Sequence, residues 1–178
     1  MRFDELLKDV AARSLDHEQR AVAAAQNLTE EQLNKPVDGE WSVAKVFKHL
    51  CLASEPYLIA MEKAVRECKD ETGEVKHTWI GKMIKVASGP ASNTPAPGFL
   101  MPPEYALSKD VIREWVGLEV RFRELCEASK GKDLSHKVRS PFIKFMRMNL
   151  ADMFAIMDVH AERHVQQIEE RSKIVSSS

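Results

Sequence analysis

At 178 residues the chain is long enough for one domain with a proper core and too short for two comfortable ones, and its 44% hydrophobic and 30% charged content is ordinary for a globular protein. Its 26 basic and 27 acidic residues cancel, which gives no argument for a polyanionic partner, and no apolar run approaches the ~20 residues that a membrane-spanning helix needs. Cys51, Cys68 and Cys126 lack CxxC spacing and leave one thiol over in any disulfide scheme; with no signal-peptide pattern at the N-terminus, the expectation is a cytoplasmic protein with reduced thiols.

The first apolar stripe, Phe3, Leu6, Leu7, Val10, Ser14, Ala21, Ala25 and Leu28, predicts a helix from about Phe3 to Asn27. His17 falls inside that stripe. It reads either as a core-edge histidine bonded to a carbonyl or water, or as a group that reaches a functional pocket. Thr29 caps a short turn that ends before Pro36. Ser42 is a fitting N-cap for a second long helix, whose stripe is Val43, Val46, Phe47, Leu50, Ser54, Tyr57, Met61 and Val65. His49 lies on the flank of that stripe, and Pro56 predicts a kink between His49 and Tyr57.

Residues 68–106 are too many for an ordinary connection. Within them Thr78–Ser88 has the spacing of a short amphipathic helix, and the Pro-rich chain after Gly89 is irregular. The segment reads as a lid or binding loop, or as a crossover that merely spans the bundle; His77 within it reads as a surface residue. A third long helix is expected from near Ser108 to just before Gly131. Lys130, Lys132, Lys137, Arg139, Lys144 and Arg147 then form a basic stretch opposed only by Asp133. It is either solvated surface or a field that draws anions toward a neighbouring cleft. Asn149 and Asp152 open the last helix, with Leu150, Met153, Phe154, Met157, Ala161, Val165 and Ile168 as its stripe. These elements predict an all-α fold, a four-helix bundle with a long crossover between its second and third long helices and essentially no sheet. Residues 1–172 form the single domain, and residues 173–178 are expected to be a disordered tail.

The sharpest chemical signal is His160 and His164. Four residues apart on a helix, they project from one face, one turn above each other. His49, on the corresponding flank of its own helix, is the best candidate for a third ligand. Three neutral imidazoles with open positions suit Zn or Ni, with Fe(II) also accommodated. Such a centre can lower the pKa of a water to about 7 or bind and activate a thiolate. No carboxylate is placed as a general base: Asp158, Glu162, Glu169 and Glu170 do not share the histidine flank, and Glu55 falls away from His49. His17 is the remaining inward-facing titratable group, and the sharper reading of it is a fourth ligand or a proton acceptor beside the metal.

The WSVAxVxxHL pattern at Trp41–Leu50, followed more than a hundred residues later by the HxxxH of His160 and His164, resembles the DinB-like (YfiT-like) superfamily of metal-binding four-helix bundles. The resemblance runs from the first helix to about Ile168. It implies that His49, His160 and His164 are the metal ligands, that the second and third bundle helices are parallel, and that the protein pairs as a homodimer. It also implies a low-molecular-weight thiol as one candidate substrate, since the family includes thiol S-transferases. Three function classes follow. The first is a metal-dependent enzyme that transfers such a thiol to an electrophile or hydrolyses a small molecule; the second is a non-catalytic metal-binding or stress-response protein. The third is an interaction module, with nucleic acid disfavoured because the basic stretch lacks a recognition motif and interleaved aromatics.

Overall fold

The computed structural model describes residues 1–92, 95–143 and 145–177; Lys144 of the basic stretch and Ser178 of the tail lie outside them. Four long helices form the body: α1 (Phe3–Ala25), α3 (Val43–Glu67), α5 (Asp110–Ala128) and α6 (Leu150–Ser176). Two short ones, α2 (Glu30–Asn34) and α4 (Trp79–Ser88), pack against them. Local capping sets the boundaries as the sequence predicts. Ser42 accepts from the Lys45 amide at the start of α3, and Asn149 and Asp152 exchange side-chain and backbone bonds at the start of α6. The third long helix begins at Asp110, close to the expected start near Ser108, and the Ser108 hydroxyl accepts from the Asp110 amide. α3 is continuous through Pro56.

Side-chain pairs give the helix directions. Arg13–Asp158, His17–Glu162 and Arg20–Glu169 advance together along α1 and α6, which are therefore parallel. Lys48–Glu114 and Glu62–Arg121 do the same for α3 and α5. The two pairs oppose each other: Trp41 of the α3 entry meets Arg171, while His49 meets His160. This is the four-helix bundle with a long crossover from α3 to α5 that the sequence implies. One departure is a small antiparallel hairpin, β1 (Lys137–Arg139) with β2 (Arg147–Asn149), where no sheet was expected. Val138 and Met148 point into the core there, and Lys137, Arg139 and Arg147 point out. A short alternating run can close into a ladder at the head of a helix without a period-2 signal long enough to announce it.

The tail expectation is corrected. α6 runs to Ser176, and Val175, 1% exposed, packs into the core while its carbonyl accepts from the Gln32 side chain. Three terminal serines suggest disorder by composition, but Ile174 and Val175 continue the helix, and Val175 joins a buried apolar cluster and meets α2 through Gln32.

The bundle core divides into two apolar clusters. One gathers Leu7, Val10, Met61, Phe122 and Phe154; the other gathers Ala21, Phe47, Trp115, Val165 and Ile168. Between them every long helix places polar groups: Ser14 and His17 on α1, Ser54 on α3, Glu119 on α5, and Asp158 and His164 on α6, all buried. A buried polar group is costly unless bonded, so a polar belt across a bundle marks a place kept for something other than packing.

One anchor of the crossover is a carboxylate on α6. The Asp152 side chain, wholly buried, accepts from the Thr78 hydroxyl at 2.6 Å, from the Thr78 amide and from His77 Nδ1 at 2.9 Å, and caps α6 through the Asn149 amide. His77, expected at the surface, is thus half-buried and bonded. Gly81 lies so close that a Cβ there would stand 2.1 Å from the Asp152 Cγ, so only glycine lets α4 seat against α6.

Candidate metal centre

His49, His160 and His164 come together within the polar belt, and their candidate donor atoms all lie within 4.8 Å of one another. His49 is 2% and His164 5% exposed; His160 is half-buried. The Nε2 atoms of His49 and His160 are 3.2 Å apart. Nitrogens on a tetrahedral ion at ~2.0–2.1 Å stand about 3.3–3.4 Å from each other, so this separation already fits. Trp41 packs on His49, ring centroids 5.0 Å apart, and steadies its plane.

The other ring nitrogens define the tautomers. His49 Nδ1–H donates to the Leu100 carbonyl at 2.9 Å, and His164 Nδ1–H donates to Gln167 Oε1 at 2.8 Å. Both bonds leave the Nε2 lone pair pointing inward, the usual way an outer partner orients a histidine ligand. Burial is the first cause that holds all three imidazoles below their ordinary range. His160 is pushed down to about 3, with His49 and Arg163 adding to the effect, and His164 falls well below the usual value through burial and then its two neighbours. Three neutral nitrogen donors with no carboxylate among them fit a borderline divalent ion.

The histidines open onto a cavity of about 760 Å³. Its walls come from α3 (His49, Tyr57), α4 (Ile84, Ala87, Ser88), the crossover (Phe99, Leu100), the hairpin loop (Ser140, Phe142, Ile143) and α6 (Met157, Arg163, Gln167, Arg171). Phe142 bridges the crossover and α3, its ring 5.3 Å from that of Phe99 and 5.4 Å from that of Tyr57. Arg171 donates to the Trp41 carbonyl and, at 3.4 Å, to Glu40. Burial lowers the pKa of both arginines. Sequence reasoning passed over Arg163, Gln167 and Arg171. Their signal was available in part, for at ~100° per residue Arg171 falls between His160 and His164 on the helical wheel and Gln167 about 20° to the His160 side.

His17 is not brought to this site. Its Nε2 bonds Glu162 Oε2 at 2.9 Å, and it lines a separate small cavity with Ser14, Glu119 and Asp158. Glu162 is two residues from each ligand histidine, roughly 200° around α6, so it faces the opposite way. The role of fourth ligand or proton acceptor therefore does not stand. The correction has a simple cause: an inward-facing position on α1 meets α5 and the back of α6, and α3 lies beyond. Asp158, Glu162 and Glu169 do leave the histidine flank as expected, each bonding α1 through Arg13, His17 or Arg20.

The sequence profile of the DinB superfamily matches residues 15–168, and the chain belongs to that superfamily. Among solved structures it resembles YfiT from Bacillus subtilis, described as a probable metal-dependent hydrolase with an unusual four-helix bundle topology. The identity is 18%, 98% of this chain and 86% of that chain are covered, and the TM-score is 0.56, a likeness that shows the fold. No curated protein matches the chain.

Proposed function

As a member of the DinB superfamily, we propose, the protein is a metal-dependent enzyme acting on a small molecule, with His49, His160 and His164 holding a divalent ion, Zn or Ni first and Fe(II) after them. The observation that carries this reading is the pair of Nδ1 bonds, to Leu100 and Gln167, which leave two inward Nε2 lone pairs within reach of the third imidazole. A bound ion would supply Lewis-acid chemistry, polarising a substrate oxygen and making a water or thiol acidic enough to attack at neutral pH. Hydrolysis is the first reading, in keeping with the description given to YfiT. The chain's own part is to hold the three donors neutral, wall the reacting centre off with Phe99, Phe142 and Tyr57, and orient the substrate against α6.

Transfer of a low-molecular-weight thiol to an electrophile is the second reading. The cavity volume favours it, since about 760 Å³ can hold two small reactants side by side. Metal content by elemental analysis, followed by metal-dependent turnover of model esters and amides against a thiol with a dinitrophenyl electrophile, separates the two. Turnover that persists after the ion is removed and all three histidines are replaced overturns both. A homodimer, implied by the family alone, is likewise a proposal, and sedimentation of the purified protein tests it.

A further inference from the structure

We infer that the hydroxyls of Ser54 and Tyr57 hold the far end of the substrate, an elongated small molecule that carries a hydrogen-bond acceptor remote from its reacting group. The inference rests on the reading of this cavity as the substrate site and names what that site recognises. Both side chains are only 8% exposed, and both line the cavity. Among the described residues neither hydroxyl has a hydrogen-bond partner. Serines elsewhere in the helices do bond: Ser129 donates to the Leu125 carbonyl one turn back at 2.7 Å, and Ser176 to that of Ser172 at 2.6 Å. Ser54 makes no such bond inside α3. Ser140, which lines the same cavity from the hairpin loop, already accepts from the Phe142 and Ile143 amides. A buried hydroxyl left unbonded is costly, and two of them three residues apart on one helix point to a ligand that bonds both.

The geometry of α3 sets the length of that molecule. His49, Ala53 and Tyr57 follow one another at intervals of four residues along the wall, with Ser54 beside them. Eight residues of helix rise ~12 Å, and Cα–Cβ bonds tilt toward the helix N-terminus, which brings both hydroxyls back toward His49. Ala53 fills little of the space between. Phe142 packs on Tyr57 with ring centroids 5.4 Å apart and on Phe99 at 5.3 Å, so aromatic rings flank the path from the histidines to the hydroxyls. A molecule that fits has its reacting group at the histidines, a flat apolar middle, and a carbonyl or ether oxygen at its far end. Burial pushes the Tyr57 hydroxyl up to about 12, so it keeps its proton and acts there as a donor.

The probes are 4-acetylbenzohydroxamate and 4-isopropylbenzohydroxamate, which share a metal-binding head and a phenyl body and differ in whether the far end carries an acceptor. Titrated calorimetrically into the protein purified with its metal, the acetyl compound is expected to bind roughly fivefold or more tightly. Tyr57→Phe and Ser54→Ala should each lower that ratio and the double variant abolish it, by weakening the acetyl compound while the isopropyl compound binds as before. Equal affinity of the unmodified protein for the two probes overturns the inference and leaves the substrate-site reading in place. So does a double variant that keeps the preference, or one that weakens both probes alike. If the double variant does not fold, the single variants decide by the same ratio. Heat from neither probe overturns both readings. A preference for the acetyl compound that survives removal of the ion counts against the metal reading and leaves this one standing.

Discussion

His49 Nδ1 donates to the carbonyl of Leu100, 2.9 Å away and 51 residues further along the chain. One histidine of the candidate centre is thereby oriented by the crossover and not by its own helix. On the proposed function, that bond would couple metal capture to the shape of the cavity wall.

Replacing His49, His160 or His164 by Ala should each lower metal affinity by more than the ~10–100-fold that loss of an outer partner costs. Helicity should survive, because the apolar clusters lie to either side of the belt. Elemental analysis beside far-ultraviolet circular dichroism reads both quantities. Normal metal content in all three variants would move the site elsewhere.

Gln167→Leu removes the acceptor for His164 Nδ1–H while nearly keeping volume. Metal affinity should fall about 10–100-fold, with the fold intact, since the imidazole is then free to turn or to change tautomer. Competition with a chromophoric chelator measures it, and an unchanged affinity would show that the bond does not orient the ring.

His17→Ala should leave metal affinity unchanged and cost stability. It removes one partner of Glu162, which keeps its bonds from Arg20 and Gln166, and opens a gap beside Ser14, which together should cost on the order of 1–3 kcal/mol in denaturant unfolding. A variant with wild-type stability but lost metal would reverse the assignment of His17 to the far side of α6.

Glu119 gives a pH dependence with a definite sign. Burial raises its carboxyl to about 7 from the ordinary 4.5, against the Ser14 hydroxyl bond and Arg123, with Glu18 and Asp158 adding to the rise. Below pH 4.5 both folded and unfolded states hold the proton. Between 4.5 and 7 only the folded state does, so this group's contribution to stability falls as pH rises through that window. Glu119→Gln removes the titration. Relative to its difference from wild type at pH 4.5, the variant should gain on the order of 3 kcal/mol by pH 8, as an upper figure. Urea unfolding across that range reads it, and a constant difference would refute the shift.

Neutral substitutions at Lys137, Arg139 and Arg147 test the hairpin face that points away from the core. If it gathers anions for the cavity, the apparent KM for an acidic substrate should rise at low salt, and the effect should fade once the screening length drops to about 8–10 Å. An unchanged KM at low salt returns these residues to ordinary solvated surface.

The helices and the three histidines were legible because both rest on periodicity. Apolar stripes at Phe3–Leu28 and Val43–Val65 place His49 on a flank, and an i, i+4 pair needs no tertiary information to share a face. What was not legible depends on which neighbour each face meets. His17 has the inward position expected of it, yet Glu162 and α5 occupy that side and α3 does not. The walls from Phe99, Leu100 and Phe142 come from irregular chain, where spacing carries no signal. Glu119 lies on the inward flank of an amphipathic helix, and nothing in its local pattern separates it from a solvated glutamate. The helical end of the chain was hidden by its serines, because composition registers Ser176 and Ser177 more strongly than one buried Val175.

Asp152 has no atom in the cavity, yet α4, one of the cavity's five walls, hangs from it. The three histidines sit on α3 and α6, whereas the first turn of α4 is held by a cluster of bonds to one carboxylate. Drift at position 81 or 152 would therefore leave the ion-binding chemistry intact and change the size of the chamber around it. Relatives sharing the same three histidines could in that way diverge in what they admit without altering a single ligand.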